Sequence, residues 1–393
     1  MPFIKDISLR SKKAPAITFN NLYAWGSNSA GQIGDSTTTD KSSPVFIKAD
    51  IVTVAGGGNY AHFIDTDGKL WSVGQNNIGQ LGIGTSLDNR SSPVQVGSAT
   101  DWYSVSANTE HSLAIKEYTS GGKLFAFGNN VFGRLGLGDT TDRSSPVQVG
   151  SNADWLMASA ASIHSVAIRY KAGSNFEIGS LWAWGSDNFG RLGIGSLGNR
   201  SSPVQVGSDQ FWHVVSAGAN HTIALKWDAE NTGNYSLWSW GVNATGQLGI
   251  GDTTARASPV QIGGNQKYIS ISAGNGFSAA VKDDNTLWTW GLNTNGQLGD
   301  GSTISKSSPV QVSGTSWYRV ACLGSSTLAL KTDGTLWAWG LNTSGQLGQG
   351  NTTSTSSPVQ IGTLTSWMLP AEVFTPTTLS GGNSFAMAVE TGG

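Results

Sequence analysis

The chain has 393 residues, 53 of them glycine and 16 tryptophan, with 12% charged residues and a net charge of −2. So many tryptophans exclude a disordered polymer, which lacks aromatics and carries charge instead, and glycines without a three-residue period exclude collagen. A near-neutral balance excludes a global field that would hold the chain on nucleic acid or an anionic membrane, and the single Cys322 excludes an internal disulfide framework.

Residues 1–20 precede any repeat. They hold Lys5, Arg10, Lys12 and Lys13 against Asp6, with Phe3, Ile4, Ile7 and Leu9 among them. No apolar signal region is present, so secretion through a cleaved signal peptide is not encoded. No run anywhere approaches the ~20 apolar residues that would insert into a membrane. The basic residues are too few for specific nucleic-acid binding. The four apolar ones read as an arm that docks on a neighbouring subunit.

From Leu22 onward the sequence repeats. The segment Leu22–Gly26, LYAWG, recurs as LWSVG at Leu70, LFAFG at Leu124, LWAWG at Leu181, LWSWG at Leu237, LWTWG at Leu287 and LWAWG at Leu336. The closing glycines, from Gly26 to Gly340, follow one another at 48 to 57 residues. Repeats of this length belong to propellers and solenoids. Each copy continues with a G-Q/R-L/I-G loop, a Ser-Pro dipeptide, a run such as Val94-Gln-Val96, an aromatic, and two strands about an Ala-Gly step. Alternating apolar residues with Asp67-Gly68 and Asp333-Gly334 turns predict strands and hairpins, and no helical period competes.

The predicted fold is all-β: a seven-bladed β-propeller with four antiparallel strands per blade. Lettering the strands A to D from the channel outward puts A and B around the Ala-Gly step, C at LWxWG and D at PVQV. The chain then opens with a C strand at Leu22–Gly26 and ends with A and B strands near 379–389. The last blade is therefore closed by N- and C-terminal strands, which removes free edges. Residues 21–390 form one propeller between an arm, 1–20, and a tail, 391–393.

The pattern LWAWG-x-N-x-x-GQLG-x-G, followed by SSPVQV and AG-x-x-H-[ST]-x-A-[IL], resembles the regulator-of-chromosome-condensation repeat over about residues 21–390. The resemblance implies the propeller. It also implies two functions outside a structural role: guanine-nucleotide exchange on a small GTPase, and secreted protein inhibition.

Fifteen of the tryptophans occupy repeat positions and read as packing between blades. The exception, Trp227, opens one of three insertions that lengthen the B–C hairpins of blades two to four, at 117–123, 170–180 and 227–236. These insertions carry Tyr118, Tyr170, Phe176, Trp227 and Tyr235 on one face, a composition suited to a protein interface or to drifted surface loops. On the opposite face Phe132 and Phe189 stand where other copies have Ala30, Ile78, Thr245, Asn295 or Ser344. Arg134 and Arg191 replace the usual Gln in those two loops. The two Phe/Arg pairs read as a small interface hot spot or, more commonly for loop aromatics, as packing beneath the loop.

His111, His164 and His221 share one repeat position, filled elsewhere by Tyr60, Phe277, Ser326 and Phe385. Equivalent positions are spread around a ring and cannot converge on a metal, so these histidines are expected to bond a turn. No nucleophile elbow, zinc-protease helix or phosphate-binding loop occurs. No catalytic residue, cofactor or metal site is expected. The reading is a non-enzymatic structural or adhesion protein that binds other protein subunits through its face loops. Low charge, the apolar arm and three identical RSSPVQVGS segments at 90–98, 143–151 and 200–208 suggest a bacteriophage virion component, with a host-surface receptor among its partners.

Overall fold

The computed structural model describes residues 20–84, 87–116, 121–170, 178–228, 235–264, 266–367 and 377–391. The alternation seen in sequence becomes a strand wherever one face meets the neighbouring blade. In Leu287–Gly291, for example, Leu287, Thr289, Trp290 and Gly291 are buried while Trp288 is half-buried. Each sheet runs D–C–B–A toward the channel, as in the antiparallel sheet of Trp102–Ala107, His111–Lys116, Lys123–Gly128 and Arg143–Gln148. Blades one to six span 51–95, 102–148, 155–205, 212–262, 268–311 and 317–360. A single pairing, Gly179 with Trp212, joins blades three and four into one eight-stranded sheet.

The seventh blade is built from both chain ends. Asn20–Gly26 pairs in unbroken register with Phe385–Thr391, from Asn20↔Thr391 to Gly26↔Phe385. Lys41–Lys48 lies outside this pair and Leu379–Gly381 inside it. Closure extends to the neighbour: Trp25 Nε1 donates to Gln346 O at 2.9 Å and Gly350 N to Ser42 O at 2.7 Å. Gly345 must be glycine here, since a Cβ would sit 2.6 Å from Ser42 Cα. The same close approach recurs around the ring, with Gly79 on Ser144 and Gly133 on Ser201.

The core is divided into clusters between neighbouring blades. Trp25, Leu328, Leu330, Leu336, Leu347 and Trp367 fill the space between blades six and seven. Trp25, Trp184, Trp240, Trp290 and Trp339 are fully buried, as are the A-strand tryptophans Trp155 and Trp317. The first tryptophan of each LWxWG strand behaves differently. Trp71, Trp182, Trp238, Trp288 and Trp337 are half-buried, beneath Lys48, Arg169, Lys226, Lys282 and Lys331 in turn.

The innermost strands would present unpaired edges to the channel. Serine hydroxyls of one blade cover the next: Ala160, Ala217, Ala273, Cys322 and Gly56 donate their N–H to Ser106, Ser159, Ser216, Ser272 and Ser380, at 2.8–3.0 Å. Cys322 also donates its thiol to Ser272 O, and burial pushes its ionisation well above the usual thiol range. It is a packing residue.

Candidate binding faces

B–C turns emerge on one face of the propeller, and A–B and C–D loops on the other. On the first face the hairpins of blades three and four are longer than the four-residue turn of blade six, extending the ladder to Tyr170↔Gly179 and Trp227↔Tyr235. Trp227 lies edge-on to Tyr235 at 5.2 Å, and Tyr235 stacks on His213 at 4.4 Å with the rings 14° apart. Tyr170, Trp227 and Tyr235 are half-buried, so their rings are partly open to a partner. Tyr118 and Phe176 lie outside the described residues, as do the arm residues Phe3, Ile4, Ile7 and Leu9. Below the hairpins, B strands end in cations over indoles. Lys116, Arg169 and Lys226 sit 4.3–5.0 Å from Trp102, Trp182 and Trp238 and pair with Asp101, Asp154 and Asp209.

The opposite face turns on one substitution. Where the loop carries Gln, its Oε1 accepts the backbone N–H two residues earlier, at 2.9 Å from Ala30, Ile78, Thr245, Asn295 and Ser344. Arginine has no acceptor. Arg134 Nε therefore needs a carbonyl and takes Val131 O at 3.1 Å, while Arg191 Nε takes Asn188 O at 2.9 Å. The peptide that pointed its N–H inward now points its C=O inward. Flipping it makes a type II turn and drives the next residue to positive φ.

That next residue is Phe132 (φ 68°, ψ 8°) or Phe189 (φ 64°, ψ 20°). A left-handed Phe costs roughly 1–2 kcal/mol, and glycine or asparagine is the ordinary choice. The expectation of packing beneath the loop fails: Phe132 is 39% and Phe189 65% exposed. The arginines do not join them at the surface. Arg134 and Arg191 are 4% and 3% exposed, with Nη1 donating to Ser162 O and Asn220 Oδ1. They shape the turn from below, and the aromatic rings alone face outward.

Asp187 breaks a second pattern in the same loop. Elsewhere an Asn amide clamps the C–D loop: Asn28 and Asn293 accept the N–H of Ile33 and Leu298 and donate to two loop carbonyls each. Asp187 keeps the acceptor half, taking Leu192 N–H at 3.0 Å, but its Oδ2 is buried with no partner. Burial raises its ionisation above the usual carboxylate range. Asp187→Asn is expected to stabilise the protein by about 1 kcal/mol at pH 7. Because the folded pKa is raised, protonation relieves the cost, so the gain should shrink as pH falls. Thermal melts of both proteins across pH check this.

The histidines bond the next blade rather than a turn. His111, His164 and His221 place Nε2 at 2.8, 3.1 and 2.7 Å from the hydroxyls of Ser165, Thr222 and Ser278. Ser165 and Ser278 spend their protons on Arg134 O and Gln247 O, so His111 and His221 donate from Nε2. The Nδ1 atoms of all three have no partner. His62 sits between Ser72 and Ser112 in the same way, linking blades one and two. Among the described residues no group of acids, histidines or cysteines could hold a metal.

These features define a β-propeller whose sequence repeat straddles two blades, C and D of one with A and B of the next. The model of the Regulator of chromosome condensation (RCC1) repeat matches residues 20–64, 67–115, 121–168, 179–225, 236–281, 284–330 and 333–389, and the chain belongs to that family. It is 31% identical over 275 residues to the "Ultraviolet-B receptor UVR8" of Arabidopsis thaliana, covering 67% of this chain and 59% of the relative. It is 29% identical to the human "Probable E3 ubiquitin-protein ligase HERC4" over 55% of this chain and 20% of that one. The chain thus spans less than two thirds of these relatives. Among solved structures, Prp20p of Saccharomyces cerevisiae superposes with TM-score 0.80 at 19% identity, covering 100% of this chain and 96% of that one. Human WBSCR16 superposes with TM-score 0.78 at 20% identity, covering 95% and 99%.

Proposed function

We propose that this protein is a non-catalytic protein-binding propeller that meets its partner through the extended B–C hairpins of blades two to four. The observation that carries this reading is the Trp227–Tyr235 pair, the last described rung of a lengthened hairpin, beside the long hairpin of blade three. Large amphipathic rings in such loops supply contact area at low entropic cost. Relatives support protein binding in general: the Prp20p structure is described with its binding to Gsp1p and histones.

Trp227→Ala is expected to weaken partner capture by about tenfold or more while shifting the melting temperature little. Tyr235→Ala should cost more stability, because it also removes the stack on His213. Affinity capture from cells of the source organism with wild type and Trp227→Ala, read alongside thermal melts, tests this. Capture that is unchanged by the substitution sinks it. A regulator of a small GTPase is the alternative, and acceleration of labelled GDP release from a purified GTPase would favour it. A secreted inhibitor would instead be recovered bound to its target outside the cell.

The identical RSSPVQVGS segments are one ground for a virion role. Their second residues, Ser91, Ser144 and Ser201, seat Gly31, Gly79 and Gly133 of the preceding blades, where a Cβ would lie 2.4–2.6 Å from the serine Cα. That steric demand falls on the glycines, and Ala257 takes the serine's place beneath Gly190. The relatives named above include no virion component, and proteomics of purified virions is the measurement that would support the assignment.

A further inference from the structure

We propose that the loop carrying Phe189, with Phe132 beside it on the preceding blade, is a second docking site, one that takes an acidic peptide segment bearing an apolar side chain. It lies on the face opposite the hairpins and does not depend on them.

Three observations converge. First, two adjacent blades hold an exposed Phe in the left-handed region, a strain persisting where a function uses it. The fold does not require an aromatic at this position, since Ala30, Thr245 or Ser344 fills the same place elsewhere without positive φ. Second, the peptide flip that Arg134 and Arg191 impose turns the N–H of Phe132 and Phe189 outward. A trans peptide whose C=O points inward must aim its N–H the other way. Each ring therefore stands beside a backbone donor that faces solvent.

Third, the charge balance of this loop differs from its counterparts. The cation that begins strand D is paired with an acid of its own loop in Arg143–Asp139 (2.6 Å), Arg256–Asp252 (2.6 Å) and Lys41–Asp35 (2.9 Å). In the Phe189 loop Ser196 replaces that acid. Arg200 bonds only Gly198 O, Asn199 O and Ser196 Oγ, with no carboxylate within 4.0 Å among the described residues. Leu197, 70% exposed, lies in the same loop. The one acid there, Asp187, is buried beneath it. Apolar tips, outward N–H donors and a cation in no salt bridge, acting on buried Asp187 only at a distance, fit a carboxylate flanked by an apolar residue.

Panning a random dodecapeptide phage library on the immobilised full-length protein tests the proposal. The expected enrichment is for peptides with Asp or Glu within two residues of Phe, Leu or Trp. The synthesised consensus peptide should bind Phe189→Gly and Arg200→Thr at least about tenfold more weakly in fluorescence anisotropy. Phe189→Gly suits the left-handed position, so its melting temperature should equal or exceed that of wild type, which separates lost binding from lost folding. Trp227→Ala should bind the peptide normally, which distinguishes this site from the hairpin face. No enrichment over a blank matrix, enriched peptides without acids, or binding indifferent to Phe189→Gly would each overturn it.

Discussion

A chain that begins at residue 49 is expected not to fold, whereas one that begins at Asn20 should keep every pairing described for the seventh blade. Removing 20–48 deletes two of that blade's four strands and leaves Phe385–Thr391 without its outer partner. It also takes Leu22, Ala24 and Trp25 from the core, all fully buried. A single buried Trp→Ala change costs roughly 3–5 kcal/mol. Loss of the whole pair exceeds the ~5–15 kcal/mol by which a domain is stable. Blade six suffers too, because Gln346 O and Gly350 N lose the partners they find in Trp25 and Ser42. Circular dichroism and dye binding to exposed apolar surface would read the outcome. A cooperative melt near the wild-type temperature would show that six blades close without the seventh.

Acidification should unfold the protein near pH 5, earlier than protonation of carboxylates alone would. Four histidines at blade junctions, His62, His111, His164 and His221, are fully buried. Burial lowers His62 to about 3 and His221 to about 4, and holds His111 and His164 well below the usual value. In His111 and His164 the Arg134 and Arg191 charges push the same way. Unfolded histidines titrate near 6.5. Between about pH 6.5 and 4 the unfolded chain therefore binds protons that the folded chain refuses, and stability falls as pH falls. Each histidine contributes a slope of about 1.4 kcal/mol per pH unit, so the four together remove roughly 5 kcal/mol per unit. Paired carboxylates add their loss lower, since hydrogen bonds from Thr141 and Thr254 help keep Asp139 and Asp252 below the usual range. Tryptophan fluorescence against pH gives the midpoint. His221→Phe, which borrows the residue found at Phe277 and Phe385, should move that midpoint down. A transition confined below pH 3.5 and indifferent to this substitution would show that junction protonation does not drive unfolding.

Much of this molecule was legible in the repeat. The offset between sequence repeat and blade could be read from which strands begin and end the chain, and the structure pairs Asn20–Gly26 with Phe385–Thr391 accordingly. The candidate sites were less legible. Trp227 and Tyr235 stood out because they fall outside the pattern, yet the stack of Tyr235 on His213 joins strand C to strand A and is invisible in either strand alone. Phe132 and Phe189 stand out by type, and the sequence leaves them either in a surface hot spot or packed beneath the loop. The signal that decides between the two is the paired change from Gln to Arg. Exchanging an acceptor for a donor beneath a turn reverses the peptide it holds, and the ring follows.

By itself the sequence determined the class, the number of blades, the order of strands and the closure, because these follow from local alternation and a fixed period. That the loop glycines must be small was decided by the fold, since each seats on the next blade, as Gly79 does on Ser144. Only the tertiary structure decided where the leftover side chains point. The histidines look identical in sequence to a turn-bonded set, yet they become buried junctions whose protons are set by the serines and threonine of the adjoining blade. Arg134 and Arg191 look like surface charges and are instead buried supports. In both cases the deciding partner lies one blade away, some 30 to 60 residues distant along the chain, where no local pattern reaches.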